Sequence, residues 1–421
     1  MTSRLLRDAL AISDSWLEQL DLITLIEVSL RESEVENLEI DVVALGKASR
    51  EMAAAAKDVL GAKVRRELIV CDEESALRDP VDQNVVVGVH PVPGVASLRA
   101  GRALVEFLAS SSAAPCTLFL ISGGASSLCA LPGDPLTLRD LRDLWDAALT
   151  WGVDITTLNK IRAATSQIAG GAVLRLVRSE RSLSLIMVDN VVSGAQWVAS
   201  AFTYDYAPGT DEFVSLLAAL GLIDTPLGAR LLEAFSGHAT LMAPATTTRH
   251  ENRVVAQPSL VLECAVNSAR ERGYRVIDLG SQIHGDVGSV AEQWRATISR
   301  ELGVGDPICV VGVGEVTVHV RGSGVGGRCQ EMAWTIAATL EQLPRDSVFV
   351  AKSTDGRDYV AGVAGAWVDR STLRRARERA IDWSDVVERN DSHSALQAVN
   401  QLIDGVHTGW NLCDLYVALV E

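Results

Sequence analysis

Several short stretches combine small, backbone-freeing residues with charges or hydroxyls, the combination that handling a phosphate demands. Gly46-Lys47-Ala48-Ser49 sets a glycine at a sharp turn and then a lysine, a point charge able to hold a phosphate or carboxylate. The Gly-x-x-x-x-Gly-Lys spacing of a P-loop is absent, and an exposed lysine in a strand–helix turn reads equally well. Ser122-Gly123-Gly124-Ala125-Ser126-Ser127 offers backbone N–H groups and hydroxyls as an anion nest. A tight turn with a helix cap is the alternative, but a cap alone does not require two glycines. In Gly322-Ser323-Gly324-Val325-Gly326-Gly327-Arg328, glycines lead into an arginine suited to a transferring phosphoryl group or a carboxylate; a loose glycine loop is the plain alternative. Ser353-Thr354-Asp355-Gly356-Arg357-Asp358 brings carboxylates that could hold Mg2+ or accept a hydroxyl proton, although Asp-Gly is also turn chemistry. Asp189 closes another apolar run, placed to be a base, a metal ligand or a cap. His90-Pro91-Val92-Pro93 reads as a rigid turn or a substrate wall.

The elements that would position these groups follow from hydrophobic periodicity. Short β-branched runs alternate with segments of helical period, which predicts an α/β fold with a largely parallel sheet. Strands are expected at Ile40–Leu45, Glu67–Cys71, Asn84–Val87, Thr117–Ile121, Leu183–Val188, Tyr274–Leu279, Ser347–Lys352 and Leu415–Val420. Ile308–Val313 and Val316–Val320 read as a hairpin turning at Gly314-Glu315. Helices are expected after the candidate turns, at Ser49–Leu60 and Cys329–Leu343, and at Leu158–Ala169 among others. The candidate residues thus follow strand ends, where ligands bind in open α/β sheets. Gly237–Glu251, rich in Thr and Ala, reads as a linker. Two domains are therefore expected, 1–240 and 250–421.

Bulk properties narrow the function classes. The chain has 421 residues, 48% hydrophobic and 22% charged, with a net charge of −16. Such an acidic chain is a poor match for nucleic acid or an anionic membrane, and any phosphate site must be built locally against that field. There is no run long enough to span a membrane and no signal peptide at the start. The seven scattered cysteines form no Cys-x-x-Cys pair, which points to a reducing, cytoplasmic setting. A small-molecule substrate is the partner this leaves, and a homodimer is compatible with the size.

In order and spacing, the stretches ALGKAS (44–49), HPVP (90–93), ISGGASSL (121–128), NKIR (159–162), GSGVGGRCQE (322–331), STDGRD (353–358) and NDSH (390–393) resemble the glycerate 2-kinase family, whose C-terminal part is the MOFRL domain. The resemblance covers nearly the whole chain. It implies a Rossmann-like three-layer N-terminal domain, a smaller MOFRL-like α/β domain, and an active site in the cleft between them. The implied activity is transfer of the γ-phosphoryl group of ATP, with Mg2+, to the 2-hydroxyl of glycerate. Carried over, Lys47, Arg328 and Asp189 would be catalytic. Ser122, Gly123, Gly124, Ser126, Asn159, Arg162, Glu315, Gly324, Gly326, Gly327 and Asp355 would bind substrate or phosphate, and Asp189 and Asp355 would contact the metal. The sequence also departs from the family pattern. Ala163, Ala164 and Ala169 stand where Lys, His and Lys are usual, Cys329 replaces an Asn, and Asp189-Asn190-Val191-Val192-Ser193-Gly194 replaces a Pro-Gly-Asp-Asp turn. Phosphoryl transfer rests on positioning and charge, and each lost charge-assisted donor costs about 2–4 kcal/mol of transition-state stabilisation. Three readings follow: a kinase acting on glycerate or a related small hydroxy acid, a relative using the same cleft for another small molecule, and a catalytically inactive binding protein.

Overall fold

The computed structural model describes residues 3–78, 83–110, 112–191, 194–241, 248–302 and 305–421. They fall into two compact units. The first holds Leu22–Val188 and the stretch leading to Ala256. The second holds the chain from Gln257 on, the N-terminal residues up to Asp21, and the few residues beginning at Asp189.

The first unit is built on six parallel strands: β1 (Ile40–Leu45), β2 (Val64–Cys71), β3 (Val85–Val87), β4 (Cys116–Ile121), β5 (Arg181–Met187) and β6 (Arg249–Ala256). Their order is β3-β2-β1-β4-β5-β6, the doubly wound, Rossmann-like order. Every residue of β1 (IDVVAL) and β4 (CTLFLI) is buried, as expected for strands covered on both faces. The two pair in register, so that Leu45 lies opposite Ile121. The order reverses between β1 and β4, which makes the end of this pair the topological switch point where such sheets bind ligands. The turn carrying Lys47 and the Ser-Gly-Gly turn both emerge there. Beside the sheet, helices Leu138–Trp151, Ile155–Ala164, Thr210–Ala219 and Pro226–Leu241 close a core of their own around Leu144, Leu158, Phe213, Leu217 and Phe235.

The second unit is a mixed sheet of seven strands: β7 (Arg275–Asp278), β8 (Ile283–Asp286), β9 (Ile308–Thr317), β10 (Ser347–Ser353), β11 (Val363–Asp369), β12 (Leu402–Asp404) and β13 (Asp414–Val420). The order is β12-β11-β10-β13-β9-β7, with β8 also on β9. Helix Arg328–Gln342 packs on β10 and β11, around a core holding Trp294, Trp334, Phe349 and Tyr416. Helix Arg4–Gln19 belongs to this unit as well. It lies on helix Pro258–Glu271, β10 and β13, with Trp16 edge-on to Trp410.

Three expectations are corrected. No hairpin turns at Gly314-Glu315: β9 runs through both residues as one strand, because β8 pairs alongside them. Gly237–Glu251 is not a plain linker. Its start completes helix Pro226–Leu241 and its end opens β6, the edge strand of the first sheet; residues 242–247 lie outside the described residues. The helix expected over Leu158–Ala169 ends at Ala164. The C-terminal strand, which suited either sheet, is central in the second. Among the described residues no helix is long and apolar enough to cross a membrane.

Candidate functional site

The candidate residues form one cluster within each unit. In the first unit, the Lys47 turn and the Ser-Gly-Gly turn are stitched to each other. Lys47 N–H donates to the Gly123 carbonyl at 2.9 Å. Ala48 N–H donates to Ser122 Oγ at 3.0 Å, and Ser122 N–H donates to the Leu45 carbonyl at 2.9 Å. Gly46 has φ +121°, and a Cβ there would sit 2.3 Å from Ser122 Oγ, so only glycine lets the turns meet. The Ser122 hydroxyl is thus occupied in holding the two turns together.

What these turns leave available is a cation and two donors. Lys47 Nζ has no hydrogen-bond or ion-pair partner among the described residues, nor have the N–H groups of Gly123 and Gly124. Lys47 and His90 both pass over Gly124, within 3.3 and 3.1 Å of where its Cβ would be. Burial first, then the charges of Lys47 and Arg162, push the His90 pKa down to about 4 despite Asp72. His90 is therefore neutral at pH 7. Its depression is chiefly burial, to which the nearby cations Lys47 and Arg162 add.

Ser126 leads from this nest into a pocket. Its hydroxyl meets that of Ser200 at 2.8 Å, and Ser200 Oγ donates to Asn159 Oδ1 at 3.0 Å. Ser200 sits in the middle of a left-handed run, Ala199, Ser200 and Ala201, with φ of 55°, 55° and 56°. Such backbone costs about 1–2 kcal/mol per residue and concentrates at functional sites. Gly170 and Gly171 N–H groups hold it by donating to the carbonyls of Ser200 and Ala201. The pocket is small and partly open to solvent, with Pro93, Ser126, Arg162, Ala169, Ser200 and Phe202 in its wall. Arg162 stacks on Trp145 at 5.2 Å. Its Nη2 is buried without a hydrogen-bond partner, and burial pulls its pKa down to about 10. Of the three alanines that replace charged residues of the family pattern, Ala169 lines this pocket. Ala163 packs against Trp197 and Ala201 instead, and Ala164 joins the helical core.

In the second unit, Arg328, Asp189 and Asp355 gather around residues 411–414. Asn411 Nδ2 donates to Asp189 Oδ2 at 3.1 Å, and Cys413 Sγ donates to the Asp189 carbonyl. Thr354 N–H donates to the Cys413 carbonyl. Asp355 Oδ1 accepts from Ser353 Oγ at 3.0 Å and from Arg357 N–H at 2.8 Å. Arg328 is paired with Glu315 and, at 3.3 Å, with fully buried Asp414. Burial is the largest influence and works against its charge, but Asp414, with Cys329, Tyr416 and Asp358 adding to it, holds the guanidinium pKa above its ordinary value. The glycine loop is packed onto the NDSH stretch. Asn390 Oδ1 accepts from Arg321 and Gly322 N–H, Asp391 Oδ1 from Val325 N–H, and Gly324 N–H donates to the Arg389 carbonyl. Gly326 lies against Ser392 and Gly327 against Asp358, leaving no room for a Cβ at either. Asp358 caps the helix by accepting from Cys329 and Gln330 N–H. Burial and Asp414 raise its pKa to about 6. Burial raises that of Glu331, which accepts from Ser392, to about 7.

The structure adds four residues to the sequence-based set. Asp414 has one oxygen on Arg328 and Tyr416 and the other, Oδ1, buried without a partner; it lies within an apolar strand. Ser200 acquires its place only through the left-handed turn. His90 and Asn390 stood in recognisable stretches, but a single histidine or asparagine carries no signal of its own.

Comparison with known proteins agrees with this architecture. Residues 4–231 match the family described as Domain of unknown function (DUF4147), and residues 308–414 match the MOFRL family. D-glycerate 2-kinase of Thermotoga maritima is 28% identical over 385 residues, covering 90% of each chain. Glycerate kinase of Homo sapiens is 27% identical, covering 90% of this chain and 84% of that one. A crystal structure of the Thermotoga maritima glycerate kinase superposes with a TM-score of 0.84 at 25% identity, covering 99% of both chains. With the DUF4147 match running through more than half of its length and MOFRL following, the chain belongs to the glycerate 2-kinase family.

Proposed function

We propose that the protein transfers the γ-phosphoryl group of ATP to the 2-hydroxyl of glycerate or a related small hydroxy acid. The observation that carries this reading is the unpartnered Lys47 Nζ beside the two unpaired N–H groups of Gly123 and Gly124, at the switch point of a doubly wound sheet. Kinase chemistry needs charge neutralised and oxygens held in place more than it needs covalent participation, and these groups are suited to that.

In this reading the acceptor 2-hydroxyl oxygen bonds to the γ-phosphorus as the bond to the β-bridging oxygen breaks, and ADP leaves. Lys47 and the turn amides neutralise the transferring oxygens. The hydroxyl proton passes to a carboxylate, for which Asp189, oriented by Asn411, is the candidate. Arg328, held by Glu315 and Asp414, is the second cation of this reading. Among the described residues no three His, Cys, Asp or Glu side chains are grouped to hold a metal. A Mg2+ that arrives on nucleotide phosphates needs only one or two protein carboxylates, and Asp189 and Asp355 fit that lesser demand. Bound there, it would neutralise phosphate charge.

The test is a coupled assay of ADP release with D-glycerate and other 2-hydroxy acids, beside calorimetry of ATP–Mg2+. Saturable acceptor-dependent ADP release that Lys47→Ala abolishes supports the proposal. Folded protein that neither binds millimolar ATP nor turns over any acid refutes it.

A further inference from the structure

The pocket behind Ser126 differs in character from the nest in front of it. Its charged feature is one buried guanidinium, Arg162, whose Nη2 has no hydrogen-bond partner. Leaving such a donor unpaired is unfavourable, and a guanidinium pairs best with a planar carboxylate. The side-chain hydroxyls of the wall already bond within the protein. Thr165 Oγ1 donates to the Ile161 carbonyl and Ser166 Oγ to the Leu131 carbonyl. Ser126 and Ser200 bond to each other, and Ser200 to Asn159. The rest is apolar, with Leu131, Leu141, Ile168, Ala169 and Phe202 prominent.

We propose that this pocket is the acceptor subsite, and that it selects 2-hydroxy acids with an aliphatic side chain over glycerate. The carboxylate pairs with Arg162, and the side chain lies against the apolar wall. Glycerate's hydroxymethyl group would leave water for a largely apolar wall whose side-chain hydroxyls already bond within the protein. The proposal rests on the kinase reading for the fate of the 2-hydroxyl, but the binding preference stands apart from it. An apolar pocket discriminates against an added hydroxyl by about 10- to 100-fold, so a preference of that size is expected.

The experiment is calorimetry of the acids alone, without nucleotide, on the full chain. The probes are D-glycerate, lactate, 2-hydroxyisovalerate and 2-hydroxyisocaproate. The expected result is that the branched acids bind about 10- to 100-fold tighter than glycerate. Arg162→Gln is expected to weaken every acid at least tenfold, and Arg162→Lys less so. Ala169→Leu, which fills the pocket, is expected to weaken 2-hydroxyisocaproate more than lactate. Glycerate binding as tightly as the branched acids, or no acid binding, overturns the proposal, and the wild-type comparison decides this even if a variant does not fold. The coupled assay run in parallel separates the two claims. ADP release with glycerate and no preference overturns only the subsite. Tight binding of branched acids with no ADP release overturns only the kinase reading.

Discussion

Lys47 and Gly123 share a backbone hydrogen bond of 2.9 Å, so the cation of one strand-end turn is fixed to the anion nest of the next. This bond and that of Ala48 to Ser122 are independent of the lysine side chain. Lys47→Ala should therefore lower kcat/KM for phosphoryl transfer by about 100-fold or more, with a melting temperature within about a degree of wild type. Steady-state kinetics beside calorimetric melting checks both halves.

Arg328 is the opposite case. Its removal leaves Glu315 and fully buried Asp414 without their cation. Arg328→Ala should lose activity and also on the order of 3 kcal/mol of stability, read from urea unfolding. Restoration of stability but not activity by adding Asp414→Asn would separate the structural role from the chemical one.

Gly46→Ala tests how closely the turns must meet. The new Cβ would fall 2.3 Å from Ser122 Oγ and 2.5 Å from the Ser122 carbonyl oxygen, on a backbone with φ +121°. A loss of about 2–4 kcal/mol is expected, together with weaker nucleotide binding in whatever protein remains folded.

His90 reports on the field of the nest. Its pKa of about 4 has burial as the main cause and Lys47 as the next. NMR titration of Lys47→Ala should move this pKa upward but not to 6.5, because burial persists. Since the folded-state pKa is depressed, the contribution of His90 to stability is present above pH 6.5 and lost as pH falls toward 4.

Glu331 gives the reverse slope. Its pKa is raised from 4.5 to about 7 by burial, so the folded state keeps a proton that the unfolded chain has released. The associated stability is present below pH 4.5 and lost as pH rises through 7. Glu331→Gln should remove this slope, gaining up to roughly 3 kcal/mol relative to wild type between pH 5 and pH 8. Denaturant unfolding at the two pH values measures it.

Much of the first unit could be read from the chain because its signals are local. Ile40–Leu45 and Ser49–Leu60 are a buried β-branched run and an Ala-rich helix without breakers, and the structure has both with those bounds. The errors arose where long-range packing overrides local pattern. Gly314 looks like a turn residue, yet it lies mid-strand because the Ile283 carbonyl of β8 comes within 2.0 Å of where a Cβ would be. β6, RHENRVVA, is a polar edge strand with little alternation to betray it. At the site, residue types at strand ends marked Lys47, Asp189 and Arg328. The unpaired state of Arg162 and the grip of Asp414 on Arg328 depend on neighbours far along the chain, and no spacing encodes them.

Helix Arg4–Gln19 finds its packing partners on Pro258–Glu271, β10 and β13. During synthesis it leaves the ribosome before these partners, and its apolar face, with Leu5, Leu6, Ile12 and Trp16, stays uncovered until they follow. The first unit can close meanwhile, since Leu22–Ala256 carries its whole sheet. The second unit is thus completed only once β13 has been made, and because its pieces flank the first unit along the chain no single cut of the gene would release it intact.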